Sequence, residues 1–261
     1  MRFLNLFFRF ENDAWTTDTL SLSSMIFRNI IYVFLLFSLG SLSAEYRILC
    51  FGDSNTWGWK PNSEKQRFLD EERWAGVLQS ELGGGYTVIC DGLVARRTDI
   101  DGLTVGMVDG TFLNGAKTLP VSIIRNAPVD LVIIFLGTND LQRGPERSAE
   151  EIANAVAGLA SQVNESSDLL YSSYPAPTDV WIVVPPALGD LSGSPLKSLF
   201  EVGIEESKQL ASAFQAVGDR ESLRLFFFDE ISPNGIGEDG IHLNIIGHRE
   251  LGLALANGLR K

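Results

Sequence analysis

The stretch Arg47-Ile48-Leu49-Cys50-Phe51-Gly52-Asp53-Ser54-Asn55 changes character halfway along. A run suited to a strand covered on both faces gives way, at a glycine, to a turn carrying three polar side chains. The same change recurs downstream. Residues 86–90 lead into Gly92-Leu93-Val94-Ala95-Arg96, and residues 131–136 lead into Gly137-Thr138-Asn139-Asp140. Two further apolar runs, 180–184 and 223–228, complete a set of five.

Helical patterns fill the intervals. Trp74, Val77, Leu78 and Leu82 fall at helical spacing, and Gly83-Gly84-Gly85 stops that helix. Ser148 and Glu151 form a capping box for a helix that places Ile152, Val156, Leu159 and Val163 on one face. Apolar stripes predict further helices at about 201–216 and 244–259. Five alternations of strand and helix specify an α/β fold: one three-layer α/β/α sandwich around a five-stranded parallel sheet, over residues 45–261. In such sheets ligands bind beyond the carboxyl ends of the strands.

Composition narrows the function. The 261 residues are 45% hydrophobic and 21% charged, which excludes disordered, collagenous and solenoid chains. With 21 Lys+Arg against 33 Asp+Glu, the net charge of −12 argues against a nucleic-acid partner. Two cysteines, Cys50 and Cys90, are too few for a disulfide framework or a zinc site. They fall on neighbouring strands, where free thiols are expected. No phosphate loop, H-E-x-x-H or EF-hand pattern occurs, so no metal or organic cofactor is implied.

Residues 1–44 differ from the rest. From Met25 a short basic start, the apolar run 30–37 and small residues up to Ala44 have the form of a secretory signal peptide. The run is short for a membrane span, although an uncleaved anchor or a buried helix is the alternative. Since a signal peptide begins at its own methionine, translation is expected to start at Met25. The charges of 1–44 cancel (Arg2, Arg9 and Arg28 against Glu11, Asp13 and Asp18), which leaves the whole −12 on residues 45–261. Export to the periplasm or medium follows if the segment is a signal; otherwise the chain is membrane-anchored or cytoplasmic.

Only two histidines, His242 and His248, are available for imidazole chemistry. His248 lies inside the last helical pattern with no acidic residue at the same spacing as Asp239 to His242, and reads as structural. His242 closes Asp239-Gly240-Ile241-His242, where one turn can bring the carboxylate onto the ring. Ser54 is the candidate nucleophile, since a serine hydroxyl needs a histidine within reach to take its proton. An oxyanion requires fixed donors, for which the Ser54 N–H, a backbone N–H in the turn after the second strand, and the Asn139 amide are candidates. Taken singly, each cluster is an ordinary turn or helix start. Gathered at the ends of adjacent strands, they form a constellation.

These residues resemble the SGNH hydrolases, also called GDSL esterases and lipases, over nearly all of residues 46–261. Gly52-Asp53-Ser54, Gly92 to Ala95, Gly137-Thr138-Asn139-Asp140 and Asp239 to His242 are similar to the family's four blocks. Thr56-Trp57-Gly58-Trp59, Arg73-Trp74 and Tyr174-Pro175-Ala176-Pro177 resemble its arylesterase and acyltransferase branch. The resemblance implies a flavodoxin-like sheet, a triad of Ser54, Asp239 and His242, and an oxyanion hole of Ser54, Ala95 and Asn139. It makes an oligomer plausible. Asn55 stands where the family usually has Leu, and Ala95 where many members have Gly.

The implied activity is that of a serine esterase acting on short-chain or aryl esters, with transfer to alcohols as a further capacity. A carbohydrate O-acetylesterase, or a catalytically silent carbohydrate- or lipid-binding module on the same fold, is the alternative. Trp57 and Trp59 can wall the ester site or pack beneath the loop. Arg96 and Arg97 can bind an anionic group but are expected to be solvated. Asn164-Glu165-Ser166 is a glycosylation sequon, meaningful in a eukaryotic secretory route. Loops at 60–72, 98–119 and 188–199 are expected to shape the pocket.

Overall fold

A computed structural model describes residues 45–63, 66–144, 146–170 and 178–260. The segment 25–44 and the motif 174–177 lie outside the described residues. Five strands form one sheet: β1 (Tyr46–Gly52), β2 (Tyr86–Gly92), β3 (Leu131–Phe135), β4 (Asp179–Val184) and β5 (Arg224–Phe227). Every pairing is parallel and the order is β2-β1-β3-β4-β5. That is the flavodoxin-like order, whose direction reverses between β1 and β3. The ends of β1 and β3 therefore flank the position where a ligand can enter.

Alternation along the strands sorts the core into two layers. Leu49, Phe51, Val132, Ile134, Ile182 and Val184 face one side. Ile48, Cys50, Ile133, Phe135, Trp181 and Val183 face the other. Two helices, α1 (Trp74–Leu82) and α5 (Ile245–Leu259), cover the second side through Trp74, Leu78, Leu251 and Leu255. The first side is covered by α2 (Gly115–Asn126), α3 (Ala149–Leu170) and α4 (Leu210–Glu221). The capping box forms at α3: Glu151 accepts from the Ser148 N–H at 2.8 Å and donates its own N–H to Ser148 Oγ at 3.2 Å. The sequon at 164–166 lies within this helix.

Two expectations are corrected. Helix α2 begins inside the segment 98–119 that the sequence leaves as loop, because Gly115 and Pro120 both argue against helix there. Pro120 has no N–H for the Ala116 carbonyl, and Gln162 Nε2 from α3 donates to that carbonyl instead, at 3.2 Å. Asn114 caps the helix by accepting the Lys117 N–H. Arg96 and Arg97 are buried, not solvated, at 4% and 2% exposure. Arg96 donates to the carbonyls of Gly52 and Asp91, pairs with the Asp91 carboxylate at 2.9 Å and lies over the Phe51 ring. Cys50 and Cys90 are partners in register on β1 and β2, and both are free.

Candidate active site

The site begins where β1 ends. Asp53 caps the single helical turn Ser54–Trp57 by accepting the Asn55 N–H at 2.8 Å, which aims Ser54 from the first helical position. The turn can lie against β2 because residue 92 is glycine; a Cβ there would run into the backbone nitrogen of Trp57.

Asp239 and His242 arrive from a loop 188 residues downstream of the serine. Gly240 adopts φ +70° inside Asp239-Gly240-Ile241-His242, a backbone form open to glycine. The turn folds Asp239 back onto the histidine. Asp239 Oδ2 lies 2.7 Å from His242 Nδ1, and Oδ1 accepts the N–H groups of Ile241 and His242 at 3.0 and 2.9 Å. His242 Nε2 lies 3.1 Å from Ser54 Oγ. All three residues are at most 4% exposed. Burial raises the Asp239 carboxyl pKa, but the bond and charge of His242 and the two backbone donors outweigh it and hold the group below its usual range.

The structure brings the other predicted residues to the same edge. Ala95 follows β2 at φ +66°, a left-handed conformation that glycine adopts at least cost. Asn139 follows β3 in the turn Thr138–Leu141. Its Nδ2 donates to the Arg96 carbonyl at 3.1 Å and faces Asp53 Oδ2 at 3.4 Å, so one amide ties the Ser54 turn to the Ala95 turn. Trp59 stacks on the His242 ring at 5.6 Å and 22°. Trp57 lies 6.0 Å from Trp59, beneath the Arg67 guanidinium.

Several supporting residues escape a reading based on motifs. Asn55 Oδ1 accepts the Leu243 N–H at 2.9 Å and so fastens the histidine loop to the serine turn. Asn244 caps α5 and donates back to the Asn234 and Ile236 carbonyls, closing the loop from its far side. Asp140 is fully buried and accepts from the Thr98 N–H and Oγ1 and from Arg147. Burial raises its pKa against those partners. Asp53 is pushed up to about 7, first by burial and further by Asp140, with the Asn55 N–H and Arg96 opposing. His248 lies in α5 with its Nδ1 accepting the Trp74 N–H at 3.3 Å; burial, then Arg73 and His242, lower it to about 3.

The arrangement can pass a proton from a serine to a carboxylate-held imidazole beside a cluster of fixed donors. Comparison with known proteins points the same way. The model of the GDSL-like lipase/acylhydrolase family matches residues 50–250. The native aryl esterase of M. smegmatis is 36% identical, with 82% of this chain and 98% of that one covered at a TM-score of 0.74. Est24, a carbohydrate acetylesterase from Sinorhizobium meliloti, gives the same identity, coverage and TM-score. A carbohydrate acetylesterase family member from the same organism is 29% identical over 82% of this chain and 97% of its own, at 0.74. A comparison with curated protein sequences finds no match. With a family model spanning most of the chain and relatives above 30% identity over four-fifths of it, this protein belongs to the GDSL-like lipase/acylhydrolase family.

Proposed function

We propose that the protein hydrolyses carboxylic esters through an acyl-enzyme on Ser54. The observation that carries this reading is the buried relay of 3.1 and 2.7 Å from Ser54 through His242 to Asp239. As Ser54 Oγ bonds to the ester carbon, His242 Nε2 takes its proton and the carbonyl electron pair moves to oxygen. Asp239 stabilises the imidazolium and holds its orientation. The N–H groups of Ser54 and Ala95 and the Asn139 amide receive the oxyanion; one such donor contributes about 10²- to 10³-fold in kcat. Collapse expels the alcohol, which takes the proton from His242. Water then repeats the sequence, giving the free acid and restoring Ser54.

Short-chain and aryl esters are the substrates we assign, with Trp59 and Trp57 as the apolar wall beside the nucleophile. The stack of Trp59 on His242 supports this, and so does the similarity to an aryl esterase. Such a wall favours an alcohol over water as acyl acceptor, which gives transesterification. A second reading, acetyl removal from carbohydrate, has equal support in the similarity to Est24. Export directed by residues 25–44 is part of the same proposal.

The test is hydrolysis of p-nitrophenyl acetate, butyrate and octanoate and of acetylated xylan by the wild-type protein and Ser54→Ala. Loss of about 10⁴-fold or more in kcat, with the fold unchanged, is expected for the variant. Retained activity would refute the acyl-enzyme. Preference for xylan over the aryl esters would select the carbohydrate reading, and free acid as the sole product with added alcohol would remove transesterification.

A further inference from the structure

An amide can serve an oxyanion only through its NH2 end, and which way Asn139 points is set by its buried neighbours Gln142 and Arg97. Arg97, Gln142 and Asn139 form a one-way chain of buried side chains, 2%, 7% and 4% exposed. Arg97 Nη2 donates to Gln142 Oε1 at 3.1 Å, and Gln142 Nε2 donates to Asn139 Oδ1 at 2.6 Å. Asn139 Nδ2 is left to face the Arg96 carbonyl and Asp53.

The direction of this chain is set at its head. A guanidinium carries donors and no acceptor, so only the carbonyl end of Gln142 can meet Arg97. The NH2 end of Gln142 then points at Asn139, which must answer with Oδ1. Reversing Asn139 alone would set NH2 against NH2 at one end and carbonyl against carbonyl at the other. Both clashes are buried, where unmatched polar groups are most costly.

We propose that Gln142 and Arg97 are positioning residues that fix the polarity of the Asn139 amide, so that its N–H and not its carbonyl meets the oxyanion. The inference rests on the reading of Asn139 as an oxyanion donor. A cation at the head of the chain also polarises each amide in turn, which strengthens the terminal N–H as a donor.

Gln142→Glu separates this role from packing, because it keeps the shape and replaces the NH2 with an acceptor. The carboxylate pairs with Arg97 and repels Oδ1 of Asn139, favouring the reversed amide. Gln142→Leu removes the link without imposing a reversal. Steady-state kinetics on p-nitrophenyl acetate should show kcat reduced about 10²-fold in Gln142→Glu and about tenfold in Gln142→Leu, with KM within a few-fold of wild type. In an Asn139→Ala background, neither substitution should lower kcat further.

Equal or reversed ranking of the two variants, or an undiminished loss in the Asn139→Ala background, would overturn the proposal. If Gln142→Glu does not fold, Arg97→Met reads the same link: a several-fold loss of kcat that disappears in the Asn139→Ala background supports it, and a loss that persists there refutes it. Wild-type kcat in Asn139→Ala alone would instead refute the oxyanion reading beneath it.

Discussion

Asp239 holds His242 by both its ring and its backbone: Oδ2 meets Nδ1 at 2.7 Å while Oδ1 accepts the N–H of the same residue at 2.9 Å. Two substitutions separate these tasks. Asp239→Asn keeps an acceptor for the backbone and presents the wrong partner to the ring, so kcat should fall about 10⁴-fold with little change in Tm. Asp239→Ala should lose comparable activity and also stability, since the buried N–H groups of Ile241 and His242 lose their acceptor at about 1–3 kcal/mol each. Thermal melts beside ester hydrolysis check both. Equal Tm values for the two variants would refute the backbone role.

His248 and Asp53 make opposing contributions to stability below neutral pH. The folded His248 is lowered to about 3 from 6.5, so between these values the unfolded chain binds more protons and stability rises with pH. The folded Asp53 is raised to about 7 from 3.8, so between those values the folded chain binds more and stability falls with pH. Urea unfolding from pH 4.5 to 6.5 should therefore show His248→Gln more stable at the acid end than at the neutral end, relative to wild type. Asp53→Asn should show the opposite tilt. Parallel curves for either variant would contradict the assigned protonation states.

Ala95 carries a Cβ in a left-handed conformation, φ +66°, where an L side chain is disfavoured by roughly 1 kcal/mol. Ala95→Gly should raise stability by up to that amount and leave kcat within a few-fold, because the contribution assigned to this residue is its backbone N–H. Ala95→Val, branched at Cβ, should lower both. Melting temperature and ester hydrolysis read the pair, and a destabilised glycine variant would exclude the strain argument.

Trp59 lies face to face with the His242 ring. In the proposed acylation that ring becomes an imidazolium, which an aromatic face stabilises by about 1–2 kcal/mol. Trp59→Leu should thus lower kcat about tenfold, while Trp59→Phe should retain most of it. If the loss falls on KM alone, the ring serves binding and not the charge.

Much of this was legible in the sequence. The five strands fall within a few residues of the apolar runs, because a strand covered on both faces has no reason to alternate. Ser54, Asn139, Asp239 and His242 stood out because each lies in a turn just after a strand or just before the last helix, whereas Ala95 was singled out by the family resemblance. What the sequence concealed was support supplied from a distance. Helix α2 was hidden by Gly115 and Pro120, whose cost is offset by the Gln162 bond from another helix. The burial of Arg96 and Arg97 depends on partners at Gly52, Asp91 and Gln142, which no local pattern reveals. The bond of Asn55 to Leu243, which fastens the histidine loop to the serine turn, is likewise invisible in the residues beside the serine.

That bond joins positions 188 residues apart, the same separation as the Ser54 to His242 contact. Synthesis proceeds from the amino terminus, so the serine turn exists long before the loop bearing its base has been made. A nascent chain ending short of residue 239 has a hydroxyl with nothing to deprotonate it, and Asn55 has no loop to hold. On the proposed mechanism, chemistry waits for the segment that carries Asp239 and His242, and products terminated before it are inert.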